Sequence, residues 1–543
     1  MKASRVELED CRALVIDSIP TSRSTMANML RQIGVRSVAQ AGQVADARRE
    51  LENKVFDIVF CEDVFDNSPI SGRELLDDLR RAQLLPHSTM FVMVTAERSH
   101  AKVTEAAESG LDSYLIKPHP ATALEQRVLQ AVYRKKMLRP IFDAIDAGDL
   151  ASAARRCRER FDDRSEFGLY AARIGAELFL RVDDHSSARA LYAAADSVQP
   201  LSWAKLGVAR ADVESRQFSA ASRALDNLIA EQPGCAEAYD LLSRIQLEQA
   251  QLRAALDMQR SACKITPNTI TRLQRQGTLA FFVGESDEAS MALERSARLG
   301  LGSKTFDFQN LVLLALLHFD RRESKELARV IANVALAAER RPDNVRLQQM
   351  LRVVNALSSL HARRTDDGVH AVQAIAADIR NETFTHEAAT HLLALLTRLR
   401  KTAPDLHESA HWVTEMAQRF CVSNASFALL LGAAAGDDLH AGLIADAQRE
   451  VNGIAEDAVS RSVSGSSATA VEMLMQAGSR TLNVRLVDLA GAMLQRHAAR
   501  ISDAPALSRQ IDALKIRCGG GLAVHAGMQR AAQNTAEPAP QTV

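Results

Sequence analysis

The sequence predicts two folds in one chain: an α/β domain with a doubly wound, five-stranded parallel sheet, then an all-α solenoid of helical repeats. Over the first 135 residues, short apolar runs rich in β-branched residues alternate with amphipathic stretches, a pattern typical of alternating strands and helices. From about residue 169, small residues recur every 33 or 34 positions, which indicates a repeat architecture. We therefore divide the chain into an α/β domain, regular repeats, further helical repeats and a disordered tail, at residues 10–135, 139–303, 304–518 and 519–543.

Apolar runs predict five strands, at residues 12–17, 36–40, 55–62, 89–95 and 112–116. The first helix should cover residues 20–33, because Pro20 favours a helix start and Gly34 favours a helix end. In a doubly wound sheet, ligands bind beyond the carboxyl ends of the strands, where the strand order reverses. The residues expected at those ends are Asp17, Ser18, Glu62, Thr95 and Lys117.

Several motifs in this domain resemble those of the bacterial response-regulator receiver family, over roughly residues 10–135. The most specific is Asp112 to Pro118, a strand followed by Lys-Pro with an aromatic residue three positions before the lysine. The other matching segments are residues 14–17, 56–59, 71–76 and 92–96. The resemblance implies a cis peptide bond between Lys117 and Pro118. It also implies a domain that accepts a phosphoryl group on an aspartate at the end of its third strand.

The resemblance assigns a role to each residue at the strand ends. In that family, two acids after the first strand bind Mg²⁺ together with the acceptor aspartate, and the metal screens the phosphoryl group during transfer. Asp17 then corresponds to the first acid, Thr95 to the switch hydroxyl and Lys117 to the phosphate-binding lysine. Tyr114 corresponds to the aromatic residue that changes rotamer on activation.

Two positions depart from the family pattern, and both weaken the same chemistry. Ser18 stands where the second acid is expected, which removes a carboxylate from a metal that prefers hard oxygen ligands. Asp17 is left as the candidate metal ligand, so we expect weakened Mg²⁺ binding and no other cofactor. Glu62 stands at the position of the acceptor aspartate, and its extra methylene should carry the carboxylate deeper, toward Thr95 and Lys117.

Three interpretations of Glu62 follow from this replacement. In the first, the receiver-like domain is degenerate and serves as a protein-docking module without phosphorylation. In the second, a Glu62–Lys117 ion pair mimics a phosphorylated aspartate and holds the active surface permanently. In the third, phosphotransfer continues through neighbouring Asp63 or Asp66. Asp63 would need the strand end to slip by one residue, because its side chain otherwise points to the other face of the sheet.

The repeat region is defined by small residues and prolines at fixed spacing. Small residues mark each unit, at Ala176, Ala188, Ala209, Ala221, Ser243, Ala255, Gly277 and Ala289. Prolines recur with the same period, at Pro200, Pro233 and Pro267. This pattern resembles the tetratricopeptide repeat, in which two antiparallel helices cross at small side chains. A looser unit is expected to begin near Pro140.

In such a solenoid, the first helix of each pair lines a concave groove that suits an extended peptide or a partner helix. Arg210 and Arg244 occupy equivalent positions in successive repeats and are candidate contacts for an acidic partner. The alternative is that they are solvated surface charges, because Glu177 and Thr278 interrupt the stripe.

Beyond residue 304 the period blurs, but apolar residues still recur at helical spacing. Helices are predicted at residues 307–319, 324–340, 387–399 and 407–420. Breaks between helices are expected at Pro342, Pro404, residues 462–467 and Pro505.

Composition and missing motifs narrow the function. Lys and Arg total 66 against 67 Asp and Glu, so the chain lacks a net positive field that would attract nucleic acid or an anionic membrane. It has no secretory leader and no apolar run long enough for membrane insertion, which predicts a cytoplasmic protein. The seven cysteines are scattered without a C-x-x-C pair, as expected for reduced thiols. No nucleotide-binding loop, nucleophile elbow or metalloprotease motif occurs, so no enzymatic activity is expected.

These observations predict a signalling adaptor of the two-component type, in which a receiver-like domain is coupled to a protein-binding repeat scaffold. The expected partners are a histidine kinase or another receiver, as in a phosphorelay, and a peptide or helix in the repeat groove. The receiver face around Thr95, residues 101–110 and Tyr114 is the expected docking surface for a kinase, a second receiver or the chain's own repeats. Two alternatives stay open: a phosphorylation-competent regulator that uses Asp63 or Asp66, and a structural scaffold of a larger bacterial assembly.

Overall fold

The α/β domain contains a five-stranded parallel sheet with the strand order β2-β1-β3-β4-β5, which confirms the predicted fold class. The computed structural model describes residues 8–96, 113–400 and 406–518. The elements of the domain are β1 (Arg12–Ile16), α1 (Pro20–Gln32), β2 (Ser37–Ala41), α2 (Val44–Asn53), β3 (Ile58–Glu62), α3 (Gly72–Arg81), β4 (Met90–Thr95), β5 (Ser113–Ile116) and α4 (Ala121–Met137). The helix that the alternation of strands and helices predicts between β4 and β5 lies outside the described residues.

Helices cover the sheet on both sides, so its central strands are buried on both faces. Successive residues of β3 enter different cores: Ile58 and Phe60 pack on one side, and Cys61 packs on the other. α1 begins at Pro20 and is followed by Gly34 at φ +107°, a left-handed conformation that favours glycine. Because all five strands are parallel, their carboxyl ends lie at one edge of the sheet, and the loops at that edge carry the candidate site.

Helix pairs follow directly after the α/β domain. They are α5 (Arg139–Asp146) with α6 (Leu150–Asp162), α7 (Gly168–Arg181) with α8 (His185–Val198), α9 (Ser202–Glu214) with α10 (Phe218–Glu231), α11 (Ala236–Glu248) with α12 (Leu252–Ile265), and α13 (Ile270–Val283) with α14 (Ser286–Gly300). From α7 onward, the second helix of each pair has a fully buried alanine as its fourth residue: Ala188, Ala221, Ala255 and Ala289. The recurring prolines lie in the links between pairs, at Pro200, Pro233 and Pro267. The period therefore corresponds to a two-helix unit.

The rest of the described chain is also helical. Its helices are α15 (Gln309–Asp320), α16 (Ser324–Arg340), α17 (Val345–His361), α18 (Thr365–Ala376), α19 (His386–Leu399), α20 (Ser409–Phe420), α21 (Asn424–Ala433), α22 (Asp438–Val463), α23 (Ser467–Thr481), α24 (Val484–His497) and α25 (Ala504–Arg517). Pro505 was expected to mark a break, but it lies in the first turn of α25, where proline is tolerated. Pro404 and the predicted tail at 519–543 lie outside the described residues. Among the described helices, none is long and apolar enough to cross a membrane.

Gly277 of α13 marks a close crossing with α14. A Cβ at this position would lie 2.5 Å from Cγ of Leu293, which is fully buried. We expect Gly277→Ala to lower the free energy of unfolding by about 1–3 kcal/mol, because the added methyl overpacks the crossing. Gly453→Ala on α22 is the matched control, since nothing lies within 4 Å of its Cβ and the change should be neutral or stabilising. Urea denaturation compares the two variants, and equal midpoints would contradict the close crossing.

Candidate functional site

Asp17, Glu62 and Lys117 meet at the carboxyl edge of the sheet. Asp17 directly follows β1, Glu62 ends β3 and Lys117 directly follows β5. The ammonium of Lys117 donates hydrogen bonds to Asp17 Oδ2 at 2.7 Å and to Glu62 Oε1 at 2.8 Å. The peptide bond between Lys117 and Pro118 is cis. Two carboxylates therefore share one cation.

Ser18 binds the other oxygen of the Glu62 carboxylate. The backbone N–H and the hydroxyl of Ser18 donate to Glu62 Oε2 at 3.0 and 2.8 Å. The glutamate side chain thus reaches Lys117 and also crosses to the loop after β1, a contact that the sequence analysis missed. An acid at position 18 would instead repel this carboxylate. The two departures from the receiver pattern therefore form one hydrogen-bonded pair.

The Asp17 carboxylate is held by the loop that follows β1. Its side chain is buried, and it accepts hydrogen bonds from the backbone N–H of Ile19 at 2.8 Å and from the hydroxyl of Ser22 at 2.7 Å. Arg23 donates to the Asp17 carbonyl at 2.6 Å. With the bonds from Lys117 and Ser18, every carboxylate oxygen of Asp17 and Glu62 accepts a hydrogen bond from the chain itself.

The Mg²⁺ implied by the receiver resemblance does not fit this arrangement. Mg²⁺ requires near-octahedral coordination by oxygen atoms, and it is usually held by carboxylates that are free to face it. Here one of the expected carboxylates is replaced by Ser18, and the ammonium of Lys117 lies on the other two. In the described part of the chain, no cluster of three or more His, Cys, Asp and Glu side chains could hold a metal ion.

The electrostatics of the cluster keep Lys117 charged. Partial burial alone would lower the pKa of its ammonium, but the hydrogen bonds that it donates to Asp17 and Glu62, with the charges of these carboxylates, outweigh burial and raise that pKa above its usual value. Two carboxylates and one ammonium leave the cluster with one negative charge at neutral pH. The cluster thus carries a fixed negative charge and a fixed internal ion pair.

The two predicted switch residues lie next to this cluster. Thr95 ends β4, and its carbonyl accepts a hydrogen bond from the backbone N–H of Lys117 at 2.8 Å. Tyr114 is half-buried in β5, with the guanidinium of Arg73 6.0 Å from the centre of its ring. Arg73 also pairs with Asp63 at 3.2 Å, so it connects the end of β3 to the aromatic residue. The segment 101–110, part of the predicted docking face, lies outside the described residues.

Asp63 and Asp66, the alternative acceptors, lie apart from Glu62. Asp63 continues the strand and is buried on the face opposite to Glu62, where it pairs with Arg73. Its backbone N–H donates to the carbonyl of Val94, so the strand end keeps the register that turns Asp63 away. Asp66 is exposed in the loop that precedes α3.

Arg210 and Arg244, the predicted groove contacts, are both paired with acids of neighbouring repeats. Arg244 binds Glu214 through two nitrogens, at 2.6 and 2.9 Å, and Arg210 lies 3.5 Å from Glu237. The charges of both arginines are therefore paired with acids of the repeats. Arg272 of α13, which sequence reasoning did not single out, contacts the α/β domain, since it binds Asp77 of α3.

Comparisons with known proteins identify the α/β domain. A family model described as the response regulator receiver domain matches residues 13–129. The chain is 28% identical over 120 residues to chemotaxis protein CheY-3 of Vibrio cholerae, an alignment that covers 22% of this chain and 90% of that protein. It is 29% identical over 117 residues to chemotaxis protein CheY of Pseudomonas aeruginosa, with 22% and 92% covered. The α/β domain is thus a response-regulator receiver domain, and we call it the receiver below.

A solved structure, that of a thermophilic TPR protein from Thermus thermophilus, is similar to part of the helical region. Its TM-score is 0.25 at 19% sequence identity, and the match covers 32% of this chain and 91% of that chain. The helix pairs themselves, with small buried residues at their crossings, define the region as tetratricopeptide-like. The chain therefore joins a receiver domain to a solenoid of helical repeats.

Proposed function

We propose that this protein is a cytoplasmic, non-enzymatic signalling adaptor of the two-component type, with a receiver held in one state and repeats that bind other proteins. The observation that carries the proposal is the hydrogen bonding of Lys117 to both Asp17 and Glu62. In phosphoryl transfer, cations must stabilise the charge that develops on the transferred group. Lys117 is already committed to two carboxylates, and Ser18 holds the remaining oxygen of Glu62, so the pocket is complete without a phosphoryl group.

The repeats supply the protein-binding half of the proposal. Solenoids of this type present an extended surface made by the first helix of each pair. The proposed partners are a histidine kinase or another receiver at the receiver, and a peptide or helix at the repeats. One observation supports the phosphorylation-competent alternative: Asp66 is exposed, in the loop that precedes α3.

Intact mass spectrometry after incubation with Mg²⁺ and acetyl phosphate tests the proposal. We expect the natural protein to gain no mass, because Glu62 and Lys117 satisfy each other and the metal ligands are incomplete. The double variant Ser18→Asp/Glu62→Asp restores both family acids and should gain one phosphoryl group, located at position 62 by peptide mapping. This variant is the matched control, since it shows that the donor and metal concentrations suffice. A phosphoryl group on Asp63 or Asp66 of the natural protein would overturn the proposal.

A further inference from the structure

Helix α3 of the receiver lies against the first helices of the repeat pairs. Asp78, which has no exposed surface, accepts hydrogen bonds from the backbone N–H groups of Ile270 and Thr271 at 3.1 and 3.2 Å. The hydroxyl of Thr271 donates to the same carboxylate at 3.1 Å. The residue before the helix, Thr269, provides no side-chain cap of its own. An acid of the receiver therefore caps α13 of the repeats.

Arg272, in the first turn of α13, joins receiver and repeats by salt bridges. Its side chain is 1% exposed, and it binds Asp240 of α11 at 2.9 Å and Asp77 of α3. Arg81 of α3 binds the same Asp240 at 2.5 Å. Each domain thus contributes one acid and one arginine to the contact: Asp77 and Arg81 come from the receiver, and Asp240 and Arg272 come from the repeats.

A further acid of α3 binds the loop before α13. Glu74 accepts a hydrogen bond from the backbone N–H of Asn268 at 2.8 Å. Glu74, Asp77 and Asp78 lie on one face of α3, because residues three and four positions apart are neighbours on a helix. α3 therefore presents three carboxylates to one arginine and to three backbone N–H groups of the repeats.

The contact made by α3 is polar. Leu299 of the repeats packs against the receiver core, but the contacts made by the three acids of α3 are hydrogen bonds and salt bridges. Burying paired charges costs nearly as much desolvation as the pairing returns, so such contacts specify a partner more than they stabilise it. When α3 leaves the repeats, Arg272 regains water, and Asp78 keeps its salt bridge with Arg48 of α2. Polar contacts between domains of one chain commonly open and close.

We propose that the surface of α11 and α13 around Arg272 is a binding site for a helix with a row of carboxylates on one face, which α3 occupies in cis and a helix of a partner protein occupies in its place. This inference rests on the proposed function, in which the repeats bind proteins, and it names the chemistry of the partner. The partner carries carboxylates at positions i, i+3 and i+4 of a helix, as Glu74, Asp77 and Asp78 do. The predicted groove arginines, Arg210 and Arg244, pair with acids of the repeats, whereas Arg272 also binds an acid of α3.

The start of α3 connects this site to the receiver pocket. The backbone N–H of Gly72 donates to the carbonyl of Asp63 at 2.8 Å, and a Cβ on Gly72 would lie 2.2 Å from the carbonyl oxygen of Glu62. The strand end that carries Glu62 therefore sets the position at which α3 begins.

The described contacts place the repeats on a different face of the receiver from the one that the sequence predicts for them. They include α3, Glu52 of α2, which binds Ser303, and His87, whose carbonyl accepts from the hydroxyl of Tyr170. They also include α4, where the hydroxyl of Tyr133 donates to Glu166. The face around Thr95 and Tyr114 stays the predicted surface for a kinase or a second receiver. That the chain's own repeats dock on this face stays a prediction, because residues 101–110 lie outside the described residues.

A fluorescence anisotropy titration with a labelled synthetic peptide of residues 69–84, which spans α3, tests the inference on the full chain. The variant Asp77→Asn/Asp78→Asn weakens the cis contact, and we expect it to bind the peptide at least tenfold more tightly than the natural protein. Asp46→Asn/Glu50→Gln on α2 removes the same charge from surface ion pairs and should bind like the natural protein. A peptide with both aspartates changed to asparagine should bind at least tenfold more weakly, and added salt should weaken binding of the unchanged peptide, because its aspartates bind Arg272 and the N-terminus of α13.

Equal binding of the peptide by the natural protein and the opened variant, or no binding by either, would overturn the inference. Circular dichroism shows whether the opened variant folds. If the double variant does not fold, the single variant Asp77→Asn takes its place, since this change leaves the cap by Asp78 intact. Equal binding of the peptide by this variant and the natural protein, or no binding by either, would then overturn the inference. The titration contains no phosphodonor, so its failure is separate from a failure of the mass experiment.

Discussion

Replacement of Lys117 by methionine should lower the free energy of unfolding of the receiver by about 2–4 kcal/mol at pH 7, as expected when one partner of a largely buried ion pair is removed. Asp17 Oδ2 and Glu62 Oε1 are both within hydrogen-bond distance of the Lys117 ammonium, so its loss leaves two neighbouring carboxylates without a cation. Neither carboxylate has ready access to water, since their side chains are 2% and 13% exposed. Repulsion between them is the physical cause of the loss.

The raised pKa of Lys117 sets the pH range of this effect. The stabilisation by the ammonium is fully present below the ordinary lysine value, about pH 10.5, and is lost as pH rises through the raised pKa in the folded state. The difference between Lys117→Met and the natural protein should therefore be constant near neutrality and shrink at strongly alkaline pH.

Lys117→Met/Glu62→Gln is the control for the Lys117→Met variant. Removing the second charge removes the repulsion, so the double variant should recover at least half of the lost stability. Both tryptophans, Trp203 and Trp412, lie in the repeats, so hydrogen exchange of the receiver amides is the appropriate measurement. Equal exchange protection in the natural protein and in Lys117→Met would contradict the shared-cation description.

The architecture could be predicted from sequence because its signals are local. The strands are near-continuous apolar runs, and Asp17 and Lys117 each follow such a run directly, so their meeting at one edge follows from the parallel topology. The helix pairs could be predicted because close crossings require small residues, and Ala188 and Ala221 recur at the helical-repeat period. Both predictions depend on neighbours in sequence or on a regular period.

The bonding between Ser18 and Glu62 could not be predicted in the same way. Each residue was interpreted alone, Ser18 as a lost metal ligand and Glu62 as a lost acceptor. The structure shows that the serine hydroxyl and amide bind the carboxylate that the extra methylene carries across the pocket. A signal was present, since a shortened, uncharged residue stood opposite a lengthened acid at positions that meet in the fold.

The contact between α3 and the repeats had no local signal. Asp78 and Thr271 are 193 positions apart, and Asp78 lies in an amphipathic helix where an acid is ordinarily exposed. Arg272 likewise belongs to no motif, although it is buried in the structure. These charges meet because the two domains pack against each other. The periodicity and the residue spacing within one domain do not predict how that domain packs against another.

Replacement of Arg346 by methionine should have the largest effect in the repeats, about 3–5 kcal/mol of unfolding free energy at pH 7, because it leaves buried acids without their cation. Arg346 of α17 binds Asp307 at 2.6 Å and Glu387 of α19 at 2.6 Å, and it joins three separate segments. The side chains of the three residues are 23%, 13% and 12% exposed. Arg352→Met on the same helix is the matched control, since Arg352 and Asp378 form a more exposed pair worth about 1 kcal/mol or less.

Acid should restore part of the stability that Arg346→Met loses. Burial already raises the pKa of Asp307 in the natural protein, against the opposing effect of Arg346, and removal of the arginine raises it further. A carboxyl group with a raised folded-state pKa binds protons more readily in the folded state, so its destabilising effect decreases as pH falls through that pKa. Burial, and then the charge of Arg346, lower the pKa of nearby His391 to about 3, so this imidazole stays neutral in the folded natural protein between pH 7 and pH 5. Urea denaturation followed by tryptophan fluorescence measures the difference in unfolding free energy between the natural protein and Arg346→Met, and this difference should shrink from pH 7 to pH 5. A difference below about 1 kcal/mol at pH 7, which is the level of an exposed ion pair, would contradict a buried charge cluster.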